Sequence, residues 1–160
     1  MSKQEEEYIH LVSSSGALNN SRKILLEIKR QKDNPLLGPA FQFALVEYSK
    51  PYTISYGAEL DKKGNPKYKF ILTDKFISDE FKDLHNQILT DRKKMHAHDD
   101  LSIKDAKVLV SKTRSDKFVG IIQNKIYPIE KITKIDEIIQ MIEMSLDKMY
   151  FKISELQKKL

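Results

Sequence analysis

The residues best suited to chemistry lie in DRKKMHAHDDLS, residues 91–102, which holds one arginine, two lysines, two histidines and three aspartates. Arg92 and His98 are separated by five residues. A guanidinium offers a planar fork of donors that matches phosphate oxygens and stabilises charge building up on them. An imidazole, with an ordinary pKa of about 6.5, exchanges protons near neutral pH. Such a pair could cleave RNA without metal, through attack of the 2′-hydroxyl on the adjacent phosphorus, and would spare DNA.

A predicted helix over residues 79–97 would position these groups, because its apolar residues recur at helical spacing. The apolar stripe consists of Phe81, Leu84, Ile88 and Met95. At about 100° per residue, Arg92 falls just past one edge of the stripe and His98 just past the other. Lys93 and Lys94 point toward solvent, where they would add positive potential.

The same residues have structural interpretations. An arginine or aspartate at a helix face is often half of an ion pair between helices, and His98 could cap the helix C-terminus, where a cation is favourable. A metal site from His96, His98, Asp99 and Asp100 is disfavoured, because i, i+2 spacing on a helix turns the imidazoles apart. We therefore expect no metal. His85 is expected to be a partly buried structural histidine.

Helices are also predicted over residues 17–31 and 40–49, on either side of the break at DNPLLGP, and Pro51 ends the second of them. Ser78 is the expected N-cap of the helix that carries Arg92. The connection before it is expected to be irregular, with KKGNP as a turn.

The clearest periodic segment is C-terminal. Its predicted apolar face consists of Ile135, Ile138, Ile139, Ile142, Leu146, Met149, Ile153, Leu156 and Leu160. Before it, β-branched and aromatic residues in 107–111 and 117–129 predict a small β-hairpin around TRSD. The pattern favours a mainly all-α single domain over residues 16–160, preceded by a flexible N-terminal tail over residues 1–15.

Composition excludes several classes of function. The chain has no cysteine, which rules out a disulfide framework, a thiolate zinc site and a cysteine nucleophile. Its five glycines form no phosphate-binding loop, and no apolar run approaches a membrane span. The acidic, serine-rich start is unlike a secretory signal. The absence of cysteine fits a reducing cytoplasm, so a cytoplasmic protein is expected. The net charge of +5 favours polyanions such as RNA, although a solvated lysine-rich surface would give the same charge.

Two segments resemble one known family. RKKMHAHDD, residues 92–100, resembles the Arg-polar-Lys-x-x-Ala-His-x-Asp signature of HEPN-domain proteins, in which four to six residues separate the arginine from the histidine. LVEYSKPYTISYG, residues 45–57, is similar to a Tyr-Ser-Arg/Lys-Pro-aromatic stretch of some bacterial members, several of them tied to abortive phage infection. The resemblance covers roughly residues 17–100.

This resemblance implies an up-and-down bundle of four to five helices, commonly a homodimer in which two motifs face each other across a cleft. Active members are metal-independent and cofactor-independent endoribonucleases that act as toxins or antiviral effectors, so an antitoxin or defence partner would be expected. By matching position, Arg92 would hold the scissile phosphate and His98 would transfer the proton. Asp100 could orient the ring of His98, whereas Lys93 replaces a residue that is often Asn, Asp or His. The expected supporting set is Asp91, Lys93, Lys94, His96 and Asp100.

Two rival functions remain from the sequence. The resemblance also includes non-catalytic interaction or nucleotide-binding modules, so the chain could be a dimerisation or interaction scaffold in which the motif is structural. Alternatively, the chain could bind RNA without cutting it, through Lys112, Arg114 and Lys117 together with the lysines of the motif.

Overall fold

The computed structural model describes residues 2–31, 34–96, 106–112, 117–123 and 128–160; for residues 94–96, 106–112, 117–123 and 128–130 it describes the backbone alone. Within these ranges the α-helices are α1 (Lys3–Arg30), α2 (Leu37–Ser49), α3 (Lys82–His96) and α4 (Ile135–Gln157). Two antiparallel strand pairs join β1 (Ser55–Tyr56) to β2 (Lys69–Phe70) and β3 (Ala106–Lys112) to β4 (Lys117–Gln123). Short 3₁₀ turns cover Lys50–Tyr52, Asp74–Phe76, Asp79–Phe81 and Pro128–Lys134. The fold is therefore mainly α-helical with a small β-hairpin, as predicted.

Helix α1 begins much earlier than the sequence pattern indicates, so the predicted flexible tail over residues 1–15 is wrong for residues 3–15. Ser2 and Glu5 form a capping box, in which each side chain accepts a hydrogen bond from the other residue's backbone N–H. Ser14 and Ser15 are buried, and the Ser15 hydroxyl donates to the Val12 carbonyl at 2.8 Å. Tertiary packing thus overrides the weak helix propensity of the serine-rich stretch.

Helix α4 packs antiparallel along α1. Arg22 pairs with Glu143 at 2.7 Å near the middle of the interface, and Lys29 pairs with Asp136 near the start of α4. The predicted apolar face of α4 is buried from Ile135 to Leu156, apart from the half-buried Ile153. Leu160 is exposed, since it follows the end of the helix. This long face is the main reason the bundle has a continuous core.

Helix α2 completes the core against α1. The Ser21 hydroxyl of α1 donates to the Ala44 carbonyl at 2.8 Å, and both residues are fully buried. Pro51 follows the helix, in a 3₁₀ turn that redirects the chain, as the sequence predicts. The KKGNP turn is confirmed: Gly64 has a φ of 80°, and the Asp61 carboxylate accepts backbone hydrogen bonds within the turn.

Helix α3 follows a 3₁₀ turn, and Phe81, Leu84 and Ile88 are buried as predicted. Ser78 has the extended backbone of an N-cap, but its side chain makes no capping hydrogen bond. Its hydroxyl instead accepts from the Lys148 ammonium of α4 at 3.0 Å, so Ser78 is the predicted N-cap residue by position and backbone, without side-chain capping. The predicted hairpin is confirmed, with β3 and β4 paired in a regular antiparallel register. In the part of the chain that the structure describes, no helix is both long and apolar enough to cross a membrane.

Candidate functional site at the end of helix α3

Arg92 lies in the last turns of α3 and is half-buried. Residues four and seven positions before it, Ile88 and His85, are buried, so Arg92 extends the packed face of the helix. Its Nε atom is out of contact with solvent and has no hydrogen-bond partner among the described residues. A guanidinium in this environment ordinarily requires a carboxylate, a phosphate or water. Among the described residues, Arg92 therefore retains unused donor capacity for an anion.

The neighbouring carboxylate is already engaged. Asp91 forms an ion pair with Lys131 of the 3₁₀ turn Pro128–Lys134. The side chains are 27% and 16% exposed, so this pair is much less accessible than an ordinary surface salt bridge. The sequence allows either an arginine or an aspartate of the motif to form an ion pair with a neighbouring element. Asp91 forms this pair, whereas Arg92 forms none among the described residues. Asp91 has a structural role in joining α3 to the segment that leads into α4.

The structure describes the other residues of the motif to different extents. Lys93 is exposed, as predicted, whereas for Lys94 and His96 only the helical backbone is described. His98 and Asp100 lie outside the described residues, so the pairing of His98 with Arg92 stays a prediction.

Next to Arg92 along the packed face is a buried polar cluster. The Tyr48 hydroxyl lies 2.7 Å from Nδ1 of His85, and the Tyr52 ring lies edge-on to His85 with centroids 4.5 Å apart. Burial raises the pKa of both tyrosines and lowers the pKa of His85, against the opposing charge of Asp74. His85 is 3% exposed, so it is more fully buried than the sequence predicts, and it is a structural histidine, as expected.

This cluster gives a physical role to the segment LVEYSKPYTISYG. Tyr48, Ser49, Pro51 and Tyr52 are all buried, and the two tyrosines contact α3 through His85. Two turns of helix separate His85 from Arg92, about 10 Å along the axis. Both segments that resemble the HEPN family therefore involve α3: the first packs against it through His85, and the second begins at Arg92 on the same helix.

The predicted RNA-binding residues lie on or beside the hairpin. Lys112, the last residue of β3, and Lys117, the first residue of β4, occupy paired positions beside the turn of the hairpin. Arg114, in the connection between the strands, lies outside the described residues. Like charges on opposite positions of a strand pair are unfavourable without a counter-charge.

The described residues contain no group of three or more His, Asp or Glu side chains that could hold a metal ion. His98, Asp99 and Asp100 lie outside these residues, so the expectation of no metal stays a prediction.

Sequence reasoning missed two features. Lys131, the partner of Asp91, is forty residues away and carries no local signal that relates it to the motif. Tyr48 and Tyr52 could have been recognised as a pair, since i, i+4 spacing across a helix end places two aromatic residues on one side. Their contact with His85 depends on the packing of α2 against α3.

Comparisons with protein-family models, with curated proteins and with solved structures found no match for this chain.

Proposed function

We propose that the protein is a HEPN-like, metal-independent endoribonuclease in which Arg92 holds the scissile phosphate and His98 transfers a proton. The observation that carries the proposal is the Arg92 guanidinium, which is half-buried, has an unpartnered Nε and makes no ion pair among the described residues. A phosphate supplies the charge and the acceptors that this group lacks. The resemblance of residues 45–57 and 92–100 to sequences of HEPN-domain proteins also supports the proposal.

The reaction requires only groups of the chain and the substrate. The 2′-hydroxyl of RNA loses its proton and its oxygen attacks the adjacent phosphorus, while the bond from phosphorus to the 5′-oxygen breaks. The products are a 2′,3′-cyclic phosphate and a 5′-hydroxyl that has gained a proton. The Arg92 guanidinium would stabilise the charge that develops on the phosphate oxygens. His98 would move a proton between the reacting oxygens, and Asp100 would orient its ring.

The proposal includes a homodimer in the cytoplasm that brings two motifs to one RNA, and a partner that restrains cleavage until it is needed. The first part is tested by the mass of the protein in solution. The second is tested by co-purification of a neighbouring gene product that lowers RNA cleavage.

The direct test is cleavage of total RNA in the presence of EDTA by the wild type, Arg92→Lys and His98→Ala. Arg92→Lys keeps the positive charge but loses the bidentate fork, so cleavage should fall by about 10²-fold. His98→Ala should lower the rate by about 10²–10⁴-fold. Arg30→Ala, at an exposed arginine of α1, is the matched control and should retain full activity.

An alternative function is RNA binding without cleavage, which the facing Lys112 and Lys117 positions favour. In that case RNA would be retained but uncut, and its affinity would fall steeply with salt. Lys112→Ala would weaken the binding, while Arg92→Lys would not. A purely structural motif would instead be indicated if Arg92→Lys lowered the melting temperature and the wild type left RNA intact.

A further inference from the structure

A cavity of about 270 Å³ lies where three parts of the chain meet: the first turns of α1, the segment from β2 to the 3₁₀ turn Asp74–Phe76, and the last turns of α4. The antiparallel packing of α1 and α4 brings Lys152 to this place. Lys131, the partner of Asp91, lies just before Ile135, the first residue at the other end of α4. Ile135 and Lys152 are about 25 Å apart along the helix axis, at 1.5 Å per residue. The cavity is therefore separate from the candidate site on α3.

The walls of the cavity are strongly basic. Four lysines and a single carboxylate, that of Glu7, line it; the lysines are Lys3, Lys69, Lys75 and Lys152. Only Lys152 has an ion-pair partner among the described residues, Glu155 at 3.4 Å. Several ammonium groups around one concave surface raise the local positive potential and favour an anion there.

The remaining contacts of the unpaired lysines are weak. The Lys69 ammonium lies 5.8 Å from the centroid of Tyr56, and that of Lys75 lies 5.3 Å from the centroid of Phe76. At exposed positions such contacts contribute about 0.5–1 kcal/mol. They leave the lysine N–H donors free to contact a ligand.

The other lining residues form an apolar floor, which consists of Leu11, Phe70, Leu72 and Phe76. The ring of His10 stacks on Phe70, with centroids 5.4 Å apart and an interplanar angle of 26°. Its Nε2 is out of contact with solvent and has no hydrogen-bond partner among the described residues. Burial lowers the pKa of His10, although Glu7 opposes the effect, so the positive charge of the cavity comes from the lysines. An apolar floor under a few charged groups is the usual composition of a small-molecule site.

We propose that this cavity binds a compact organic phosphate, with Lys3, Lys69 and Lys75 holding the phosphate and the organic part resting against Phe70. The volume lies just below the usual range for sites of drug-sized ligands, about 300–1,000 Å³, which favours a small ligand. A bare anion would leave the apolar floor unused. The inference does not depend on the proposed ribonuclease activity.

Isothermal titration calorimetry with phenyl phosphate as the probe tests the proposal on the full chain. Phenyl phosphate should bind at one saturable site, phenol should not bind, and inorganic phosphate should bind more weakly. The Lys69→Ala/Lys75→Ala double variant should bind phenyl phosphate about tenfold more weakly or worse, since each lost charged hydrogen bond costs at least about 1 kcal/mol. Both side chains are exposed, so circular dichroism should show an unchanged fold.

The matched control is Lys62→Ala/Lys63→Ala, which removes the same charge from exposed lysines of the turn at residues 61–65, outside the cavity. Its affinity for phenyl phosphate should stay within about twofold of the wild type. Phe70→Leu should weaken phenyl phosphate and leave inorganic phosphate unchanged, which separates the floor from the lysines.

Three results would overturn the proposal: no saturable binding of phenyl phosphate at millimolar concentration, equal weakening by both double variants, or binding of short single-stranded RNA without binding of phenyl phosphate. The last result would assign the surface to nucleic acid. Arg92→Met should leave phenyl phosphate binding intact, so failure here and failure of the ribonuclease proposal are distinguishable.

Discussion

The neighbouring charges Asp91 and Arg92 should respond to neutralisation in opposite ways. Asp91→Asn removes the charge that faces Lys131 while preserving the shape of the side chain. Arg92→Met removes a guanidinium that has no ion-pair partner among the described residues and keeps most of the apolar stem. The first variant should destabilise the fold and the second should not, because only the first leaves a charge uncompensated.

The magnitude follows from the exposure of the pair. Fully exposed pairs contribute about 0–1 kcal/mol, whereas removing one partner of a fully buried pair costs about 3–5 kcal/mol. With side chains 27% and 16% exposed, Asp91 and Lys131 lie between these limits. Asp91→Asn should therefore lower the free energy of unfolding by about 2 kcal/mol, or the melting temperature by about 4–8 °C for a chain of this size. Arg92→Met should change the free energy by less than about 0.5 kcal/mol, or raise it.

Urea denaturation at neutral pH measures both values. The Lys131→Met variant and the Asp91→Asn/Lys131→Met double variant complete a double-mutant cycle, which should give a coupling of about 1 kcal/mol. If Arg92→Met destabilises the protein as much as Asp91→Asn does, Arg92 has a carboxylate partner within the chain. Arg92 would then not be a free guanidinium available to a phosphate.

Three further outcomes concern stability in other parts of the fold. Tyr48→Phe should lower the free energy of unfolding by about 1–3 kcal/mol in denaturant melts, because it leaves the buried His85 Nδ1 without its partner; no change would mean that the hydrogen bond contributes nothing. Burial lowers the pKa values of His85 and His10, so as the pH falls the unfolded chain binds protons before the folded chain does. The free energy of unfolding should therefore be at its full value above about pH 6.5 and decline toward pH 5, less steeply in His85→Phe. An equal dependence on pH in the wild type and His85→Phe would contradict this assignment. Gly57→Ala should cost about 0.5–1.5 kcal/mol in the same melts. The added Cβ would lie 2.0 Å from the Glu6 carboxylate, which must shift and lose its hydrogen bond from the Glu59 N–H at 2.9 Å. A Glu6→Ala background should relieve the clash, and the same cost in both backgrounds would exclude it.

Elements with strong local periodicity were predictable from the sequence. The apolar positions of α4 and the stripe of α3 follow the period of a helix, and the β-branched residues around TRSD indicate the hairpin. The start of α1 could have been recognised from the capping-box pattern of Ser2 and Glu5, whereas the serine-rich stretch at residues 13–15 disfavours a helix unless tertiary contacts bury it. Ser14 and Ser15 acquire those contacts only in the folded bundle.

The candidate site shows the same limit. The position of Arg92 at the edge of the packed face could be predicted from its spacing to Ile88, and the structure confirms it. The engagement of Asp91 by Lys131 does not follow, because a contact between residues so far apart depends on how α3 meets the segment before α4. The cavity lined by Lys3, Lys69 and Lys152 was equally hidden, since its residues come from three distant parts of the chain.

The most direct test of the central claim is the chemistry of the cut ends. Purified wild-type protein and Arg92→Met would be incubated in EDTA with one oligoribonucleotide and with the DNA of the same sequence. We expect the wild type to convert the RNA to fragments with 2′,3′-cyclic phosphate and 5′-hydroxyl ends and to leave the DNA intact. The Arg92→Met variant should lack this activity. Intact RNA, cleaved DNA, or an Arg92→Met protein as active as the wild type would contradict the account.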